Sequence, residues 1–122
     1  MSRSDLPTAR VQPAPIVLAI GCSAELGRRC REAAIAGQSL VVEADVMSAA
    51  NIAAQTRPLV IVLLEDVYAF DASSFNELAA DVRARLVLLA DDQISQSELE
   101  NILVGAIVEA ESSRESFHQI HT

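Results

Sequence analysis

Two constellations in this sequence have residue types that can do chemistry. The first, Cys22-Ser-Ala-Glu-Leu-Gly-Arg28, sets a thiol six residues ahead of a guanidinium. A thiol at a helix start is acidified by the helix amides, which also hold phosphate, and an arginine there can clamp it. The second is acidic: Asp45, the pair Glu65-Asp66 and the pair Asp91-Asp92. Carboxylates on converging loops can hold a divalent cation or, for one of them, accept a phosphoryl group. His118 and His121 stand three apart, a metal-binding spacing only where helix persists. Each of these groups needs an element to position it.

The chain supplies enough apolar material for that. It has 122 residues, 51% hydrophobic and 21% charged, which describes one small globular domain. Seventeen acids outweigh nine Arg, Lys is absent and the net charge is −8, so a phosphate backbone is repelled and nucleic acid is not an expected partner. No 18-residue apolar run occurs, so no membrane-spanning helix is expected. Most of the negative charge falls in residues 91–122, where seven acids face Arg114 alone.

Cys22 and Cys30 lie roughly 12 Å apart along a loop and helix, beyond the ~7 Å a disulfide allows, and free thiols fit a reducing cytoplasm. The apolar run before Gly21 is too short for a secretory core, and Pro13 and Pro15 interrupt its approach. Arg and Ala use without Lys is the composition expected of a GC-rich bacterial genome.

Residues 1–14 are polar, without a periodic apolar pattern, and Pro7, Pro13 and Pro15 fall in or beside them. They read as a flexible arm, with 15–113 as the domain and 114–122 as a flexible tail. Ile16–Ile20 is an apolar run without alternation, the pattern of a strand covered on both faces. Ser23 can cap the next helix, whose stripe is Leu26, Cys30, Ala33 and Ala34, ended by Gly37. Leu40–Val42 is strand two. A short helix follows from a Ser48 cap. Leu59–Leu64 reads as the central strand, Ser73 or Ser74 opens helix three with Phe75, Leu78, Ala79 and Val82 inward, and Leu86–Ala90 is strand four. Ser95-x-x-Glu98 and Ser97-x-x-Glu100 are overlapping capping boxes leading into a helix over about Ser97–Ser113; residues 102–108 could instead form a fifth strand.

Strands alternating with helices predict an α/β fold: a three-layer, flavodoxin-like parallel sheet of four strands, five if 102–108 pair, in the order 2-1-3-4. Such sheets place their crevice at the carboxyl ends of the strands. There stand Gly21-Cys22, Glu43-Ala44-Asp45, Glu65-Asp66 and, after Ala90, Asp91-Asp92.

In length, in its β-first alternation and in the segment Arg57-Pro58-Leu59-Val60-Ile61-Val62-Leu63-Leu64-Glu65-Asp66, the chain resembles the receiver domains of two-component response regulators over residues 15–92. The resemblance implies a phosphoacceptor at Glu65 or Asp66. It also implies an acid pair for Mg²⁺ after strand one, where Gly21-Cys22 stands, and a hydroxyl near Ala90; the family's lysine has no counterpart. These departures imply a degenerate pseudo-receiver, independent of phosphorylation and acting by protein contact, with no cofactor and no metal. The chain after strand four is short for the family's last helix, strand and helix.

The Cys22-x5-Arg28 loop resembles that of low-molecular-weight protein tyrosine phosphatases, and a cysteine after strand one resembles the IIB subunits of sugar phosphotransferase systems. That resemblance implies a cysteine-based phosphatase or phosphocarrier as the alternative. Glu25 inside the loop and the lack of an Asp-Pro motif depart from it.

Two further features point to partners. Val67-Tyr68-Ala69-Phe70 sets Tyr68 and Phe70 beside the acidic rim. In the last helix, Val104 and Val108 face away from a stripe centred on Leu99, Ala106 and Ala110, which predicts a homodimer or partner contact there.

Overall fold

The computed structural model describes residues 14–121, with side chains described as far as residue 113. The expected arm over 1–14 therefore lies outside the described residues except for Ala14, and so do the side chains of His118 and His121. The elements are β1 (Ile16–Ile20), α1 (Ala24–Ile35), β2 (Leu40–Ala44), α2 (Ala49–Thr56), β3 (Val60–Leu64), α3 (Glu65–Phe70), α4 (Ala72–Val82), β4 (Arg85–Leu89) and α5 (Gln96–His121). The four strands form one parallel sheet in the order β2-β1-β3-β4.

The continuous apolar strands are explained by what covers them. On one face Val17, Val60, Val62 and Leu89 pack under α1 and α5, through Leu26, Cys30, Ala33, Leu99, Leu103, Ala106 and Ala110. On the other, Leu18, Ile20, Ile61 and Leu63 pack under α2 and α4, through Ala49, Ala53, Phe75, Ala79 and Val82. The result is a flavodoxin-like three-layer α/β fold, as the alternation predicts. Residues 102–108 are helical, so there is no fifth strand among the described residues. No helix among them is long and apolar enough to cross a membrane.

Several local expectations are corrected. Glu65–Phe70 is a helix, where the sequence predicts a loop; six residues are too few to show a helical period. Asp71, not Ser73 or Ser74, caps α4, accepting from Ser74 N at 3.4 Å and Ser74 Oγ at 2.8 Å. Ser48 makes no side-chain cap; its N and Oγ both donate to Asp45 Oδ1, at 2.9 and 2.8 Å. In both cases the serine Oγ–H donates back to a carboxylate three residues earlier, in place of the oxygen accepting from a helix amide.

Ser95 does cap α5, its Oγ accepting from Glu98 N at 3.1 Å. That helix runs to His121 instead of stopping near Ser113, so the tail expected over 114–122 is helical backbone through His121. Nothing from residue 111 to 121 is Gly or Pro, so no residue breaks it. At the end of α1 the left-handed residue is Gln38, at φ 55°, not Gly37. Gly37 serves close approach: a Cβ there would sit 3.1 Å from Ile107 Cδ1 and 3.6 Å from Val104 Cγ2, where α5 crosses α1.

Candidate functional site

The carboxyl edge of the sheet begins where β1 stops. Gly21 takes φ +67°, a left-handed conformation glycine adopts without strain, and its N–H donates to Ala44 O at 2.8 Å. The space above it is apolar. A Cβ at Gly21 would lie 3.4 Å from Val46 Cγ2 and 3.6 Å from Val67 Cγ1, so these two valines, from the β2–α2 loop and from α3, flank the exposed end of β1.

Glu65 and Asp66 do not project from the tip of β3. They form the exposed first turn of α3, where carboxylates favour the positive end of the helix dipole. Asp45 is held by Ser48, whose backbone and hydroxyl hydrogen bonds pull its carboxyl below the usual range. Asp91 accepts from Gln93 N at 2.8 Å and closes a turn, while Asp92 accepts from Gln93 Nε2 at 3.2 Å. Ala90 is exposed in the bend after β4. Each carboxylate of this rim thus satisfies a local turn or helix start. No group of three metal-ligating side chains occurs among the described residues.

Cys22 is half-buried one residue before the α1 cap, with its Sγ 3.8 Å from Ile20 O. Burial, and then the Glu43 carboxylate, pushes its thiol up to about 11, the opposite of what an activated cysteine needs. Cys30 is a buried core residue, and both thiols are free. Arg28 stands on the exposed face of α1, paired with Glu25 and Glu32 at 2.6 Å each. Its guanidinium is held along the helix by those acids, so the spacing of Cys22 and Arg28 does not assemble a phosphate cradle around a thiolate.

Glu43, expected in the loop after strand two, lies within β2 and pairs with Arg31. Its carboxylate rests so close on α1 that a Cβ at Gly27 would run into it. Arg29, which sequence reasoning passed over, staples the β4–α5 loop to α1. Its Nη1 donates to Asp92 O at 3.1 Å, its Nη2 to Ile94 O and its Nε to Gln96 Oε1 at 3.1 Å, and Gln96 returns a bond to Arg29 O at 2.9 Å.

The two aromatics of the expected interaction segment divide. Tyr68 turns inward, stacking on Phe75 at 6.5 Å between ring centres and donating to Asn76 Oδ1 at 3.0 Å. Phe70 is 90% exposed, and Met47, next to the valine beside Gly21, is 94% exposed. Val46 and Met47 were missed by sequence reasoning, although two apolar residues between Asp45 and Ser48 in a turn are the kind of signal that marks an exposed patch. On α5, Val104 packs toward Gly37, while Val108 is 55% exposed. Comparison of the chain with family models, curated proteins and solved structures finds no match in any of the three.

Proposed function

We propose that this chain is a non-catalytic pseudo-receiver, a signalling or scaffold module that works by protein contact and independently of phosphorylation. The observation that carries the reading is the lining of the end of β1, an exposed Gly21 flanked by Val46 and Val67. A phosphoryl group on a neighbouring carboxylate is a dianion that needs a metal or a cationic side chain facing it. Here the end of β1 offers a glycine, a protonated thiol and two valine side chains. Glu65 and Asp66 face solvent with no Lys in the chain to meet a phosphoryl oxygen. The same geometry speaks against the phosphatase or phosphocarrier alternative, because Cys22 is held as a thiol and Arg28 is engaged elsewhere.

Self-association through α5 is the finer part of the partner question. With Val104 packed toward Gly37, Val108 is the large apolar side chain that the described part of α5 leaves well exposed. One valine falls far short of the roughly 1,200–2,000 Å² that specific interfaces bury. The weight of the contact function therefore moves to the carboxyl edge.

Incubation with acetyl phosphate, followed by intact mass measurement, tests the proposal. Unmodified protein is expected, together with no hydrolysis of an aryl phosphate above background. A phosphorylated species lost in Asp66→Ala, or turnover lost in Cys22→Ser, would overturn it.

A further inference from the structure

The carboxyl edge combines two features. The first is apolar surface on two neighbouring segments: Val46 and Val67 both flank Gly21, Met47 follows Val46, and Phe70 lies one helical turn after Val67 on α3. Met47 and Phe70 are the two most exposed large apolar side chains among the described residues, at 94% and 90%. Ile35, Leu40 and Val108 are exposed as well, but less so, at 71%, 60% and 55%.

The second feature is unpaired charge. Asp45 precedes Val46, Glu65 and Asp66 precede Val67, and Asp71 follows Phe70. Among the described residues none of these four carboxylates is in an ion pair; the four ion pairs engage Glu25, Glu32, Glu43 and Glu109. Of the α1 guanidiniums, Arg29 is bound to carbonyl oxygens of the β4–α5 loop, and Arg28 and Arg31 pair with other acids.

An apolar centre with a rim of one charge sign is the anatomy of a protein-binding patch, and the sign selects the partner. We infer that the patch of Val46, Met47, Val67 and Phe70 docks a cationic amphipathic segment of a partner protein. Leucine-like side chains would cover Met47 and Phe70, and Lys or Arg would face Asp45, Glu65, Asp66 and Asp71. Anionic lipid surfaces and nucleic acids are repelled by the same carboxylates. A second copy of this chain is repelled too, since its corresponding face carries the same charge. The inference rests on the reading of the chain as a protein-contact module and adds where the contact is made and by what chemistry.

The test is titration of the full chain, isotopically labelled, with a synthetic helical peptide bearing Leu on one face and Lys on the other, followed through backbone amide shifts. The expected result is a saturable response at Gly21, Val46, Met47, Val67 and Phe70 that weakens with salt. The Met47→Ser/Phe70→Ser variant is expected to weaken binding at least about tenfold, as loss of central apolar anchors does, while Val108→Ser binds like wild type. Unchanged affinity in the double variant, or shifts confined to α5 and its acids, would overturn the inference. So would peptide-free, concentration-dependent broadening at these amides, which would mean a second copy occupies the patch. Mg²⁺ with beryllofluoride in a parallel sample separates the two levels. A silent response there together with silence toward the peptide removes the partner assignment alone, whereas a saturable response there removes the pseudo-receiver reading itself.

Discussion

The connections that leave the helices and those that enter them are built differently. The α-to-β connections, over residues 36–39, 57–59 and 83–84, hold two Arg and no acid. Pro58 is fully buried and Leu59 is 5% exposed, while Ile35 and Leu40, which flank residues 36–39, are 71% and 60% exposed. Backbone groups of these connections are paired, with Leu59 N donating to Ile16 O at 2.8 Å, Arg85 N to Leu59 O at 2.9 Å and Ser39 N to Ala34 O at 3.1 Å. The β-to-α connections over 21–23, 45–48 and 90–95, together with the short helix α3 and Asp71 after β3, hold six acids and no Arg, and leave Met47 and Phe70 in solvent. Helix dipoles explain the sign of the charge at both ends. They do not explain the exposed apolar side chains, which contribute nothing to stability where they are. One edge sets its exposed apolar side chains among acids; the other has no acid in its connections and buries Pro58 and Leu59.

Truncation on each edge gives the largest contrast. Leu59→Ala on the α-to-β edge is expected to cost about 2–5 kcal/mol in urea unfolding, the transfer term plus a cavity. Phe70→Ala on the β-to-α edge is expected to stay within about 0.5 kcal/mol of wild type. A large loss at Phe70 would mean that the β-to-α edge is part of the folding core.

Alkaline pH gives the next effect. Cys22 and Cys30 are raised from 9.0 to about 11 and about 12, in both cases chiefly by burial. The unfolded chain therefore gives up these protons first. The stabilisation they contribute is complete below about pH 9 and is lost as pH climbs toward 11 and 12, with a slope of up to about 1.4 kcal/mol per pH unit for each thiol. Urea unfolding from pH 8 upward should show this decline, less steep in Cys22→Ser. An unchanged slope in that variant would place the Cys22 thiolate in a favourable site, contrary to the geometry.

Arg57 sharpens the contrast from the α-to-β edge. It ends α2 in the left-handed region, at φ 52° and ψ 61°, where a side chain is strained. Arg57→Gly relieves that strain against a higher unfolded-state entropy, and a gain of about 0.5 kcal/mol is expected in thermal melts. The smallest effect is expected on α5: Val108→Glu should leave both stability and the light-scattering mass at the monomer value. A dimeric wild type made monomeric by that change would return the contact to α5.

The fold was legible because strands such as Val60–Leu64 are apolar throughout and helices such as α1 and α5 repeat their buried positions over several turns. Helix starts were not, since Asp45 and Asp71 engage the N–H and hydroxyl of nearby serines and spacing alone does not say which residue of such a pair caps. The candidate site was half legible. Its acids and Phe70 stand out as residue types, and the absence of hard ligands at Gly21-Cys22 is visible in the letters. The approach of Val46 and Val67 to Gly21 brings together segments more than 20 residues apart, and no local pattern encodes it. The orientation of Arg28 was hidden for a related reason: Glu25 and Glu32 at helical spacings draw it along α1 and away from Cys22.

The central claim is that the end of β1 holds no phosphoryl-binding chemistry, and its most direct measurement is the amide spectrum of the full chain titrated with Mg²⁺ and beryllofluoride. Gly21, Cys22, Glu65 and Asp66 are expected to stay in place throughout. Saturable displacement of those four amides would contradict the claim.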